Sequence, residues 1–501
     1  MKSGNRNMPC GIGATVLAAL AIGGCTVGPD YAPPQTPIPE SFSSAPGGAT
    51  TRPTTQPVAV DRWWTTFNDP RLDRLVADAI GANLDLRLAE ARIREARAAR
   101  GIVSADRWPT VDSGGTLRRS RSSENIGFET DQFSGAAAGA PAGSVPDFGI
   151  GQARDLWQLG LDARWELDLF GRVRRSVEAA DADIAATAEW RNGVLVSLQA
   201  EVALNYIELR GAQAELAITR KNLASQEDTA ELMRVRQRAG LTGELDVVRA
   251  EAQVATTAAL IPGQEARIRR AIHRLGVLTG RQPAALTEEL LKDAPLPPSP
   301  AAVPVGLPSD LLRRRPDIRR AERQLAAATA RIGVATAELF PRFSLTGGAG
   351  LQSDRGGNLA SWESRYWSIA PGITWPIFDA GRIRAQVRVQ NARQEQALVQ
   401  YEQAVLAALE DVENAIVAYT ADQRRRASLA HAVQSNARAV ELARDLHARG
   451  LVDFLNVLEA QRALLVAEDA LVRAEASLAG DLIALFKAMG GGWEMEDAAA
   501  R

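Results

Sequence analysis

The sequence predicts a mainly α-helical chain with a membrane β-barrel portion: long helical hairpins, about four β-strands per chain, and two internal structural repeats. Three observations carry this prediction. First, residues 382–449 run for 68 residues without glycine or proline, rich in Ala, Gln, Glu, Arg and Leu, all good helix formers. At 1.5 Å rise per residue this is a helix of roughly 100 Å, far longer than a compact domain needs. Second, residues 172–239 form a twin of equal length, also free of proline. Third, residues 157–169 alternate strictly: the odd positions read Trp, Leu, Leu, Ala, Trp, Leu, Leu, with Gln, Gly, Asp, Arg, Glu and Asp between them. That is a strand with charge on one face.

The twins belong to a longer repeat, the first thing to look for in a chain of this length. At an offset of 210 residues, Trp157 matches Trp367, Trp165 matches Trp375, Gly171 matches Gly381, Gly240-Leu241 matches Gly450-Leu451 and Gly280 matches Gly490. Upstream, Trp108-Pro109 corresponds to Phe340-Pro341 at an offset of 232, so the first half carries 22 extra residues. The expected organisation is a signal peptide over 1–24, an extended arm over 25–70 and a first repeat over 71–280. That repeat reads helix, β-hairpin 108–169, long helix 172–239 and return helix 245–279. A connector over 281–309 follows, then a second repeat over 310–490 with hairpin 340–378, long helix 382–449 and return helix 454–489, and a tail over 491–501.

Composition narrows the function classes. The net charge is -2, which gives no electrostatic footprint for nucleic acid. The three histidines, His273, His431 and His447, share no metal-ligand spacing, so no metal site or other cofactor is expected. Both cysteines, Cys10 and Cys25, lie near the amino terminus, which leaves no disulfide framework for the body.

In chain order, Lys2 and Arg6 precede an apolar run from Ile12 to Ile22. It is too short to span a bilayer and suits a signal-peptide core. It ends in Ile22-Gly23-Gly24-Cys25, which resembles a lipoprotein cleavage site, with Cys25 as the acylated first residue. The arm is rich in Pro, Thr and Ser, and Trp63, Trp64 and Phe67 are expected to pack its end onto the body. Helix follows from about Leu72 to Val103, with a break at Gly81-Ala82-Asn83. Trp157, Trp165, Trp367 and Trp375 stand near the ends of matching strands, as interfacial anchors do in a membrane barrel, although buried strand residues would recur in the same way. Each long helix ends in a glycine turn, Gly240 or Gly450, where positive φ costs nothing. Pro262-Gly263 is expected to kink the first return helix.

No mature stretch has 18 uninterrupted apolar residues. A barrel is then the remaining way across a bilayer. Four strands cannot close one, because the smallest membrane barrels have about eight. The barrel must therefore be assembled from several chains.

At this point several motifs carry a resemblance. LPSDLLRRRPDIRRAE (307–322), WELDLFGRVRR (165–175), GCTVGPDYAPP (24–34), GLTGELDVVRAEAQ (240–253) and GLVDFLNVLEAQRAL (450–464) resemble the TolC-like outer-membrane factors, in particular their lipoprotein branch in RND-type tripartite efflux systems. The resemblance covers nearly the whole mature chain. It implies a homotrimer with a 12-stranded barrel in outer-membrane lipid and a helical tunnel in the periplasm. It further implies a periplasmic adaptor (membrane fusion protein) and an inner-membrane RND-type pump as partners. By spacing from the tip glycines it implies a periplasmic gate, an acidic constriction, at Asp246, Asn456 and Glu459. The tip turns Gly240, Leu241, Gly450, Leu451 and Val452 would dock the adaptor. Asn456 stands where an Asp is usual, Val452 where some members carry a gate arginine, and His447 where some carry a gate tyrosine. Asp246 and Glu459 also suit a helix amino terminus, where acids favour the dipole. The arginines of Arg314-Arg315-Pro316-Asp317-Ile318-Arg319-Arg320 are assigned a structural role. The function expected is a passive outer-membrane exit duct for drugs or metal ions, not an enzyme. A lipid-tethered periplasmic coiled-coil scaffold and a protein-secretion duct are the alternatives.

Overall fold

The computed structural model describes residues 26–43, 60–121, 123, 153–300 and 308–493. The expected signal peptide, Cys25, nearly all of the longer first hairpin loop and the end of the tail lie outside the described residues. The chain divides into two compact units.

The first unit takes in the described parts of Met1–Tyr31, Ala98–Asp181 and Ala327–Gln394. It holds strands β1 (Thr110–Arg121), β2 (Ala153–Leu167), β3 (Arg342–Ser353) and β4 (Arg365–Thr374), antiparallel neighbours in the order β1-β2-β3-β4. The register keeps every apolar residue of the alternating pattern on one face. Leu161 stands opposite Ser113 and Ala349, Trp157 opposite Leu117, Trp165 opposite Leu345, and Phe343 opposite Ile373. A slip of one residue would turn these side chains to the other face.

β2 covers 153–167, offset from the expected 157–169. The reason is capping. Asp168 leaves the sheet and its carboxylate accepts hydrogen bonds from the backbone N–H of Val173 (3.1 Å) and Arg174 (2.9 Å), donors that the first turn of a helix leaves unpaired. In the second repeat Asp379 does the same for Gly381 (2.9 Å) and Ile383 (2.8 Å). These bonds, Ile383 first, hold the Asp379 carboxyl below its ordinary value.

The second unit takes in the described parts of Ala32–Arg97, Ala182–Ala326 and Glu395–Arg501. The α-helices of the described chain, some with residues in both units, are in chain order α1 (Pro70–Ala82), α2 (Leu84–Ala105), α3 (Arg172–Arg238), α4 (Glu244–Ala258), α5 (Ile261–Leu278), α6 (Thr287–Leu290), α7 (Pro308–Arg314), α8 (Pro316–Ala337), α9 (Arg382–Ala448) and α10 (Phe454–Ala488). α3 and α9 are each 67 residues long, or about 100 Å of continuous helix, within a residue of the expected spans. The α1–α2 break falls at Asn83, whose Oδ1 accepts from the N–H of Asp85 (2.9 Å) and Leu86 (3.2 Å) and whose Nδ2 donates to the Leu278 carbonyl (2.9 Å).

The first return helix differs from expectation. It is two helices, parted at Ala259-Leu260, whereas its counterpart α10 is one. Pro262 lacks an N–H and crowds the preceding turn, so the helix stops ahead of it and restarts with Pro262 among its first residues. The connector also carries more structure than expected. It contains α6, whose Leu290 is fully buried, and α7 begins at Pro308.

The core of this unit gathers Trp63, Phe67, Leu72, Tyr206, Leu209, Ile272, Leu482 and Phe486. Trp63 stacks on Phe486 at 5.6 Å, and Tyr206 donates to the Asp69 carboxylate at 2.6 Å. The residue run around Pro316 is structural. Arg315 is buried and clamps Asp317 (2.6 Å), Asp411 (2.9 Å) and the Ala488 carbonyl (3.1 Å), while Arg319 binds Glu189.

Candidate functional site

Two features stand out, the paired tip turns and the sheet. α3 and α9 end alike. Gly240 (φ 71°) and Gly450 (φ 75°) adopt the left-handed conformation. The N–H of Leu241 donates to Arg236 O and that of Leu451 to Leu446 O, both at 2.9 Å, the six-to-one closure of a glycine-capped helix. The turn spends its backbone bonds inward and presents its leucines outward: Leu241 is 69% exposed and Leu451 67%. Beneath them Ala230, Met233, Val247, Ala250, Phe454, Val457 and Leu458 form one buried cluster, so α3, α4 and α10 meet at a common tip. Polar contacts join the two helical hairpins further along: Asn222 Nδ2 donates to Glu468 (2.8 Å), Gln461 Nε2 to Thr229 Oγ1 (3.3 Å), and Arg444 to Ser225.

The sequence-predicted gate residues sit in this region with different partners. Asp246 is half-buried, and its carboxylate accepts from Thr242 Oγ1 at 2.7 Å, so it closes its own turn. Its counterpart Asn456 is exposed and donates to the Asp453 carbonyl at 3.3 Å. Glu459 is exposed one turn further on, on the same side of α10 as Asn456. His447 does not reach Asp246 among the described contacts. Its Nδ1 pairs with the Val452 carbonyl at 3.1 Å, and its ring tilts over Phe454 at 5.6 Å.

Sequence reasoning missed a second acidic feature. Asp481 on α10 is hydrogen-bonded to Asp422 on α9, whose own neighbour is Arg425 at 3.9 Å. The matching positions of the first repeat are Ala212 and Ala271, both buried. The repeat comparison was the signal that could have found this pair. Burial, and then the Asp422 carboxylate, push the Asp481 carboxyl up to about 6. A raised carboxyl value favours folding at low pH and loses that contribution as pH rises through about 6. Heat unfolding in detergent is therefore expected to be about two- to tenfold slower at pH 5 than at pH 7.5. Asp481→Asn should flatten that dependence. A pH profile unchanged by the substitution would remove this pair as its source.

The sheet has two unlike faces. One carries Val111, Leu117, Trp157, Leu159, Leu161, Trp165, Leu345, Leu351, Trp367, Ile369 and Ile373, and many of these are exposed. A continuous exposed apolar face of this extent needs an apolar environment. Trp157 to Trp165 spans roughly 27 Å at ~3.4 Å per residue, close to the ~25 Å apolar band of membrane barrels. Beyond Trp157 the same face turns polar, with Arg119 facing Asp155 at 3.6 Å. At the other end the indole N–H groups of Trp165 and Trp375 donate to the carbonyls of Arg107 and Leu339, both at 3.0 Å. The opposite face carries Asp112 against Asp162, Thr110 against Arg164, and Gln158 donating to Tyr366 Oη at 2.8 Å. β1 and β4 are the edges of the sheet. No described helix is long and apolar enough to cross a membrane. No group of three or more metal-ligating side chains occurs among the described residues.

Residues 75–281 and 307–491 match the family model described as outer membrane efflux protein. The chain is 34% identical over 484 residues to nodulation protein T of Rhizobium leguminosarum bv. trifolii, covering 96% of this chain and 97% of that one. It is 32% identical over 483 residues to the solvent efflux pump outer membrane protein SrpC of Pseudomonas putida, covering 96% and 98%. Among solved structures, that of the outer-membrane channel OprN matches with a TM-score of 0.83 at 40% identity, covering 94% of this chain and 100% of that one.

Proposed function

Since the chain belongs to the outer membrane efflux protein family and is an outer-membrane exit duct for efflux, we propose that three copies join their sheets into one 12-stranded barrel and their helices into one periplasmic tunnel. The observation that carries this reading is the four-stranded sheet with one apolar face and two open edges. Unpaired backbone N–H and C=O groups are not tolerated in lipid, so β1 and β4 need partners. The internal repeat supplies a register. Moving the β2–β3 pairing through the two repeat offsets sets Ile373 of β4 opposite Gly115 of a second copy, and Trp375 opposite Ser113. In this register the apolar residues of both copies share one face, and Trp157, Trp165, Trp367 and Trp375 form the two interfacial rows.

The duct does no chemistry. It passes small molecules delivered by an inner-membrane RND-type pump through a periplasmic adaptor, which meets the tip at Leu241, Leu451 and Val452. Cys25 is the acylated anchor. Glu459 and Asn456 line the constriction, while Asp246 contributes there as a capped acid. This reading is tested on the purified protein in planar bilayers. The parent is expected to conduct with a preference for cations, and Glu459→Ala to lower the cation-to-anion permeability ratio by about twofold or more. An unchanged ratio would remove Glu459 from the constriction, and a parent that forms no channel would count against the duct itself.

A further inference from the structure

The geometry points to a site in the first unit for the chain's own mature amino terminus, with residues 26–30 as a docking peptide seated at the corner where β2 turns into α3. Four residues build the socket. Arg175 is 4% exposed, and its guanidinium donates to the carbonyls of Val27 (3.3 Å) and Gly28 (3.4 Å), to Asp30 Oδ1 (2.6 Å) and to Glu178 Oε2 (2.8 Å). Three of these four acceptors belong to the peptide. With the peptide gone, only Glu178 of these four acceptors would remain, and a buried guanidinium is tolerated where its acceptors are present. Gly28 lies at φ 92°, and a side chain there would strike the backbone of Gly333. Gly333 in turn packs on the Arg175 side chain, where an added Cβ would stand 2.8 Å from Cγ. Gly171, at φ 81°, lies against Thr26, whose Cγ2 would be 2.7 Å from an added Cβ. The N–H of Val27 donates to the Phe170 carbonyl at 3.3 Å.

The internal repeat provides the control. By the same offsets Gly171 corresponds to Gly381, Arg175 to Ala385 and Gly333 to Gly101. Nothing lies within 4 Å of a Cβ added at Gly381 or at Gly101. The equivalent corner, made by Gly381 and Ala385 of the second repeat and Gly101 of the first, thus keeps the glycines but has no arginine and, among the described residues, no peptide. The socket is therefore not a by-product of the strand-to-helix turn, which both repeats make. The peptide holds the strand–helix corner against α8 and brings the residue following Cys25 to that corner.

The test uses the full-length protein extracted in detergent, with the rate of heat unfolding as readout. In one background residues 26–30 are native. In the other Gly28 is replaced by Val, whose Cβ would strike the Gly333 backbone and keep the peptide out of the socket, while Cys25 stays in place. Arg175→Met is expected to speed unfolding tenfold or more with the native peptide and less than twofold with the replacement. Asp30→Asn, a milder change, is expected to speed it two- to fivefold, and to have no effect when residue 175 is Met. Equal factors for Arg175→Met in both backgrounds, or an Asp30→Asn effect that survives the loss of Arg175, would overturn the proposal. If Arg175→Met does not fold, Arg175→Lys replaces it and is judged by the same ratio. The site does not rest on the duct reading, and channel conductance is not its readout, so either can fail without the other.

Discussion

Leu161→Arg is expected to keep this protein out of the outer membrane. Leu161 is midway between Trp157 and Trp165 on the apolar face of β2 and is 53% exposed in the single chain. That position is the midplane of the proposed band, where an arginine on the lipid face of a barrel costs about 2–4 kcal/mol. With three copies in the proposed barrel this becomes about 6–12 kcal/mol, against a typical folding stability of about 5–15 kcal/mol. The control is Ser368→Arg on the opposite face, level with Asp162 and Gly348, where water and a nearby carboxylate accept the charge. Density-gradient fractionation of cell envelopes separates the outcomes. Leu161→Arg should be lost from the outer-membrane fraction at least tenfold relative to Ser368→Arg. Equal recovery of the two would show that this face does not meet lipid.

Leu241→Asp combined with Leu451→Asp should abolish efflux while leaving the channel in place. Both side chains stand clear of the tip cluster, so the double change removes nothing that holds the fold. If each leucine is buried on docking, it contributes about 1.5–3 kcal/mol. Losing both weakens the adaptor complex by about 100-fold or more, at ~1.4 kcal/mol per tenfold. The variant should reach the membrane at parental levels and form channels of parental conductance. Cells carrying it should be as sensitive to the exported compound as cells without the duct. Normal resistance together with normal recovery of the adaptor would place the docking surface elsewhere than the two turns.

Much of this architecture could be read before any coordinates. The glycine-bounded spans of α3 and α9 were legible because helix propensity acts residue by residue and was unbroken over both. The faces of the sheet were legible because alternation is a property of neighbours in sequence, and the repeat supplied an independent copy of each strand. Where sequence reasoning missed, the cause was a partner distant in the chain or a competing local bond. β2 ends early because Asp168 serves the helix after it. The first return helix divides at Ala259 where a kink was expected at Pro262, because the proline acts on the turn before it. Asp246 has its carboxylate engaged by Thr242, whose counterpart in the second repeat is Val452, a contact that no spacing announced.

By itself, then, the sequence determined the repeat, the membrane-suited strands, the lengths of the long helices and the family. All of these follow from periodicity, composition and motif order, which short-range rules govern. Only the tertiary structure decided which charged groups meet. Arg175 finds Asp30 across 145 residues of sequence. Asp481 shares a hydrogen bond with Asp422 where the first repeat buries two alanines. Neither pairing has a local signature, because each depends on how two helices or a helix and an arm pack. A buried guanidinium needs its acceptors and one of two adjoining carboxyls is driven to hold a proton, so packing, not spacing, selects these pairs.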